Sequence, residues 1–281
     1  MKKKGQSPFD WVNRLGENLS IKMDVDNLHM NNGVVLKGVS GVVERQDNLF
    51  EKIVLNGSFT EKHRLSYVLF RDENRNRHVS LEVPKAEYFF KGFGFIEGME
   101  GGYMSLNGTI PDTPSDDIRE LDKNKTLAEG YAYLVDFSMR DLPVLGRILS
   151  LSSFQGIADI FTGEGLRFDG AEMRYRITLE EFKFVRLKAN GPSMGLTLDG
   201  SINLRNARAN LGGNIYPAYS LNSIVGNLPV VGQVLTGGRE GVVGINYDLK
   251  GPLSNLKVEV NPLSILVPEV LKEIVSVRST R

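Results

Sequence analysis

The feature that most constrains this chain is a repeated two-residue rhythm. Tyr131, Tyr133, Val135, Phe137 and Met139 share one parity, and so do Ala171, Met173, Tyr175, Ile177 and Leu179. Leu196, Leu198, Ile202 and Leu204 form a third set, and Val243, Ile245, Tyr247 and Leu249 a fourth. Glu172, Arg174, Arg176, Thr197, Asp199 and Asn203 stand at the alternate positions. Successive side chains of a strand point to opposite faces, so this pattern predicts strands that are dry on one face and wet on the other. Antiparallel sheets commonly behave this way.

About a dozen such strands are expected between Leu19 and Val260, and at about 4.8 Å per strand one continuous sheet of them spans roughly 60 Å. A sheet that wide twists and curls. The fold class expected is therefore mainly β, a long curved antiparallel sheet whose dry face forms an apolar groove. The tripeptides Leu36-Lys37-Gly38, Leu55-Asn56-Gly57, Leu106-Asn107-Gly108, Leu198-Asp199-Gly200 and Leu249-Lys250-Gly251 share the form Leu-polar-Gly. Such glycines suit tight turns, and turns are expected there.

Three segments depart from the two-residue period. Helices are expected near 142–161, 220–235 and 262–275, all in the C-terminal half. Asn261 suits an N-cap and Pro262 the first helical turn. Residues 142–150 (Leu-Pro-Val-Leu-Gly-Arg-Ile-Leu-Ser) and 228–236 (Leu-Pro-Val-Val-Gly-Gln-Val-Leu-Thr) repeat one motif, which points to a repeated helix-then-strand unit. The Pro111–Lys125 stretch is polar and reads as a long loop. It divides an N-terminal β-groove segment, 1–125, from a mixed C-terminal segment, 126–281.

Composition narrows the function. Lys+Arg and Asp+Glu are both 34, giving zero formal charge. A nucleic-acid binder usually carries a basic excess, so none is expected as partner. There is no cysteine, which excludes thiol catalysis, zinc-thiolate sites and disulfides. The three histidines, His29, His63 and His78, show no metal-ligand spacing. No nucleophile elbow, zincin or P-loop motif occurs. The expectation is a protein that is not an enzyme and uses no cofactor or metal. The basic start Met1-Lys2-Lys3-Lys4-Gly5 is not followed by an apolar stretch, so no signal peptide is read there. No run of about 18 apolar residues occurs, so no transmembrane span is expected.

One segment competes with this reading. Lys91-Gly92-Phe93-Gly94-Phe95-Ile96-Glu97-Gly98 has the pattern of the base-stacking strand of RNA-recognition domains. That fold needs a helix between its first two strands, and Leu65–Phe90 reads as strand. RNA binding through 91–98 is thus a remote alternative, and a Gly/Phe-rich strand the expected structure.

The residues of the second half resemble a known family. Leu-Pro-Val-Leu-Gly-Arg-Ile-Leu-Ser-Leu-Ser-Ser-Phe-Gln-Gly-Ile-Ala-Asp (142–159), Gly-Glu-Gly-Leu-Arg-Phe-Asp (163–169), Leu-Pro-Val-Val-Gly (228–232) and Asn-Pro-Leu-Ser-Ile-Leu-Val-Pro (261–268) are similar to the C-terminal region of AsmA-like envelope proteins, which include the YhdP and TamB branches. The match covers roughly 130–275. It implies a Gram-negative periplasmic protein associated with the inner membrane, with phospholipid or another acyl lipid as ligand. Inner or outer membrane surfaces, and envelope proteins, are the other partners it implies. The chain carries no anchor of the family's kind and is shorter than its large members, so it is expected to be part of a longer protein or a split gene. The groove-lining candidates are Tyr131, Tyr133, Val135, Phe137, Met173, Tyr175, Ile177, Leu196, Leu198, Ile202, Leu204, Val243, Ile245 and Tyr247. The alternative reading is an envelope assembly module that docks through its C-terminal helix.

Overall fold

The structure is a computed structural model and describes residues 18–47, 49–96, 98–112, 123–140, 143–151, 165–217 and 242–266. These residues form one antiparallel sheet of thirteen strands in strict sequence order. The strands are β1 (Leu19–His29), β2 (Val35–Gln46), β3 (Leu49–Thr60), β4 (His63–Arg71), β5 (Arg77–Val83), β6 (Met99–Ile110), β7 (Ala128–Met139), β8 (Leu166–Ile177), β9 (Glu181–Asn190), β10 (Met194–Asn203), β11 (Arg208–Pro217), β12 (Val242–Pro252) and β13 (Lys257–Leu266). Each strand pairs with its neighbours in the chain, and among the described residues β1 and β13 are the edges of the sheet. The sheet is curved, as its width predicts, and unclosed. β6 and β7 pair directly across the 111–127 connection, so the sheet continues through it.

Register shifts recur across the sheet, at Lys37/Ser40, Glu44/Arg45, Ser58/Thr60, Arg174/Tyr175, Leu198/Gly200 and Gly244/Asn246. Each extra residue bends its strand and increases the local twist, which supplies the curvature.

Two helices interrupt the meander, α1 (Ala86–Phe93) between β5 and β6, and α2 (Pro143–Leu151) between β7 and β8. Both leave the sheet at the end where odd-numbered strands hand over to even-numbered ones. α2 lies within the stretch expected to be helical, and residues 152–164 lie outside the described residues, as do 218–241 and with them the helix expected at 220–235.

α1 was not expected, and it corrects the strand reading of Leu65–Phe90 and of 91–98. Pro84 ends strand pairing, and Glu87 stands in the helix's first turn. The helix stops at Gly94, which takes the left-handed conformation (φ 69°) that glycine adopts most easily. Lys91, Gly92 and Phe93 are therefore helical, and Phe95 projects from the following turn. Phe89 and Phe90 pack against the buried cluster. Met30 lies so close to Gly92 that a Cβ there would come within 3.0 Å of its terminal methyl. No flat strand presents Phe93 and Phe95 for base stacking.

The expected helix from Asn261 also gives way. Residues 261–266 continue β13, with Asn261 opposite Asn246 and Ser264 opposite Gly244. Pro262 falls at this register shift on an edge strand, where the missing N–H leaves no ladder bond unmade. Residues 267–281 lie outside the described residues.

The Leu-polar-Gly tripeptides are not turns. Gly38, Gly57, Gly108, Gly200 and Gly251 all lie within strands. The tight connections are polar instead, such as Glu61-Lys62 and Asp72–Asn76.

Candidate functional site

The pairing registers generate rows that run across the whole sheet. One row reads Met23, Gly41, Leu55, Tyr67, Leu81, Leu106, Ala132, Met173, Leu187, Leu198, Gly213, Tyr247, Val260, one residue per strand. A parallel row on the same face reads Ile21, Val43, Ile53, Leu69, Val79, Gly108, Gly130, Tyr175, Phe184, Gly200, Leu211, Leu249, Val258. Neither row contains a charged side chain. The opposite face carries a polar row that runs from β1 to β12: Asp24, Ser40, Asn56, Ser66, Glu82, Ser105, Tyr133, Glu172, Lys188, Thr197, Asn214, Asn246. Val42, Val54 and Val68 interrupt the polarity of that face on β2–β4.

The two dry rows differ in burial, and in the second Leu69, Tyr175, Leu211 and Leu249 are buried. In the first row only Tyr247 is buried, and the other twelve residues keep partial solvent contact. Full burial is concentrated toward β8–β12, at Leu166, Met194, Ile215 and Ile245. Leu145, Ile148 and Leu149 of α2 belong to that same buried cluster. The helix therefore packs on the dry side of the C-terminal strands. It also approaches β13: Gly146, Arg147, Ser150 and Leu151 face Asn255–Val258 across a cleft of about 740 Å³.

Tyrosines are the only titratable groups in the two rows. Burial holds the Tyr67 phenol above its ordinary value. Burial does the same for Tyr175, with a smaller contribution from Tyr67 four strands away. Tyr247 is raised furthest, again by burial first. At the Arg77 end the dry face terminates in charge. Arg71 and Arg77 continue the parity of Leu69 and Val79 and oppose one another. Arg71 pairs with Glu51. Arg77 is half-buried, and burial, then the neighbouring Arg71, lowers its affinity for a proton.

Of the groove candidates, Met173, Leu198 and Tyr247 stand in the first dry row and Tyr175 in the second. Ile177 and Ile202 flank Phe182 on the same face, and Leu196 and Ile245 flank Ile215. The structure does not bring the β7 set together. Tyr131, Tyr133 and Val135 are exposed on the outer face, whereas Phe137 is buried. Asp136, with φ 52°, breaks the alternation. Leu134 and Phe137 consequently flank one spot, where a Cβ on Gly102 would lie 3.1 and 3.3 Å from them. Gly130, Ala132 and Leu134 are the β7 residues that continue the dry face. Tyr131 stands beneath the Arg174 guanidinium, 5.7 Å from its ring centroid. Leu204 lies past the end of β10 in an exposed turn. For Val243 the structure settles only its backbone pairing with Ile265.

The N-terminal strands were expected to share the groove, but the candidates included none of their lining residues, among them Leu55, Tyr67, Leu81 and Leu106. The signal was present as alternation of Leu65, Tyr67 and Leu69 and of Val79, Leu81 and Val83. It was diluted by the valines on the other face. Among the described residues no cluster of His, Asp and Glu is arranged to hold a metal, and no helix is long and apolar enough to cross a membrane. A scan against protein-family models, a search of curated proteins and a search of solved structures return no match.

Proposed function

We propose that this chain is a non-enzymatic lipid-handling module that holds phospholipid acyl chains against the dry face of its unclosed sheet. The observation that carries this reading is the accessible apolar row from Met23 to Val260, whose members other than Tyr247 remain only partly buried. A sealed core would exclude water from such a row. Apolar contact is worth about 0.8 kcal/mol per buried methylene, so half-covering a chain of about ten methylenes contributes about 4 kcal/mol without any directional bond. No polar recognition is required along the face. At its rim the half-buried Arg77 guanidinium is stabilised by an anionic phosphate, which offsets its desolvation. The resemblance of 142–159 and 228–232 to AsmA-like proteins supports the same reading and suggests the periplasm of a Gram-negative envelope.

Lipid analysis of the purified chain tests this. Protein from a bacterial host, extracted with organic solvent, is expected to yield phospholipid in stoichiometric amount. A lipid-free preparation that also takes up no fluorescent phospholipid from vesicles contradicts the reading.

A further inference from the structure

The two edges of the sheet differ in a way that points to a partner. The last strand, β13, carries Pro262 and a register shift, both of which discourage further pairing. The first strand, β1, has neither. It is eleven residues long, contains no proline and pairs with β2 without a register shift. Its inward positions, Leu19, Ile21, Met23 and Val25, are apolar rather than charged. An edge of this kind leaves a row of backbone N–H and C=O groups open to another strand.

We propose that β1 is a homodimer edge, where two copies of this chain pair antiparallel about a two-fold axis at Met23. The charges on the outer face select this occupant and this register. With the axis at Met23, Lys22 stands directly opposite Asp24 of the second copy, twice over, and Ser20 stands opposite Asp26. Moving the axis one residue to Lys22 places Lys22 against itself. Moving it one residue to Asp24 places Asp24 against itself. Registers that pair odd with even positions set the dry face of one copy beside the wet face of the other. Like charges directly opposite destabilise a strand pair and unlike charges support it. Lys22 and Asp24 are both exposed, and neither forms an ion pair among the described residues. The same register sets Ile21 opposite Val25, and Met23 opposite its own copy, so both dry rows continue from one subunit into the next. The paired sheet has twice thirteen strands and spans roughly 120 Å at about 4.8 Å per strand.

Sedimentation equilibrium on the full chain tests this with a charge-swap series. The wild type is expected to dimerise reversibly. Lys22→Asp sets carboxylates against carboxylates across the dimer axis, and Asp24→Lys sets ammonium groups against ammonium groups. Each variant alone is expected to dimerise roughly tenfold more weakly or worse. An equimolar mixture of the two restores a carboxylate–ammonium pair at both places, so it is expected to recover the wild-type association as a heterodimer. Thermal melts of both variants in dilute solution should match the wild type, which separates lost pairing from lost folding. A wild type that stays monomeric, charge variants that dimerise undiminished, or a mixture that fails to associate would each overturn the proposal.

Discussion

Tyr247 lies across Gly213. Its ring spans β11 from β12, and its hydroxyl donates to the Thr197 carbonyl on β10 at 2.7 Å. A Cβ on Gly213 would stand 2.8 Å from the Tyr247 oxygen and closer still to the Thr197 oxygen. Tyr175 repeats the arrangement: it pairs with Gly130 on β7, and its hydroxyl lies 2.5 Å from where a Gly108 Cβ would be on β6. These glycines are absent side chains that let an inward tyrosine lie flat on the sheet. Gly213→Ala is therefore expected to destabilise the fold by about 1–3 kcal/mol through overpacking. Tyr247→Phe, which removes one hydrogen bond, is expected to cost about 1 kcal/mol. Urea unfolding followed by circular dichroism measures both, and a neutral Gly213→Ala would refute the close approach.

The inward tyrosines make stability fall at high pH. Burial favours the neutral phenol of Tyr67, Tyr175 and Tyr247, raising each above the ordinary value of 10.0. A raised value means that the folded state binds the proton more tightly than the unfolded chain does. The stabilisation is complete below about pH 10 and is lost as pH climbs through the raised values. Ultraviolet titration should show a class of tyrosines that ionises late, together with unfolding. All tyrosines ionising together near pH 10 in a still-folded protein would contradict the burial.

α2 anchors the C-terminal half. Leu149 is fully buried, while Leu151 is 58% exposed on the same helix. Leu149→Ala is expected to cost about 2–5 kcal/mol through lost transfer energy and a cavity, and Leu151→Ala to stay within about 0.5 kcal/mol. Equal effects in chemical denaturation would mean that α2 does not pack as described.

If phospholipid lies on the dry face as proposed, an Arg77 variant separates headgroup from chain recognition. Replacing it with Leu is expected to weaken retention of anionic phospholipid severalfold while leaving uptake of an uncharged alkyl dye unchanged. Parallel losses for both ligands would place Arg77 outside any headgroup contact.

Much of this architecture was legible in the chain because strand alternation is a local consequence of backbone geometry. The β8, β10 and β12 sets landed on the dry face, Leu204 and the unsettled Val243 apart. The β7 set failed at one residue: Asp136 adopts a positive φ, and nothing in the alternation of Tyr131 to Met139 marks it. The Leu-polar-Gly tripeptides misled for a related reason. Glycine serves turns and close approaches alike, and only pairing shows that Gly108 makes room for Tyr175. Pro262 was ambiguous between a helix start and an edge strand, and the register with β12 decides it. The rows themselves were not legible, since they depend on the registers between all thirteen strands. Whether the dry face would be accessible was also beyond alternation, because an open face and a sealed core share one pattern.

The proposed function requires lipid to lie on the dry face and not on the wet one. Site-specific photocrosslinking measures this directly. A benzophenone amino acid is placed at inward Leu55 or Leu106, or at their outward neighbours Asn56 or Asn107, and the protein is irradiated with radiolabelled phospholipid. Lipid adducts are expected at Leu55 and Leu106, and background labelling at Asn56 and Asn107. Equal labelling of the two faces, or none at the inward positions, would contradict it.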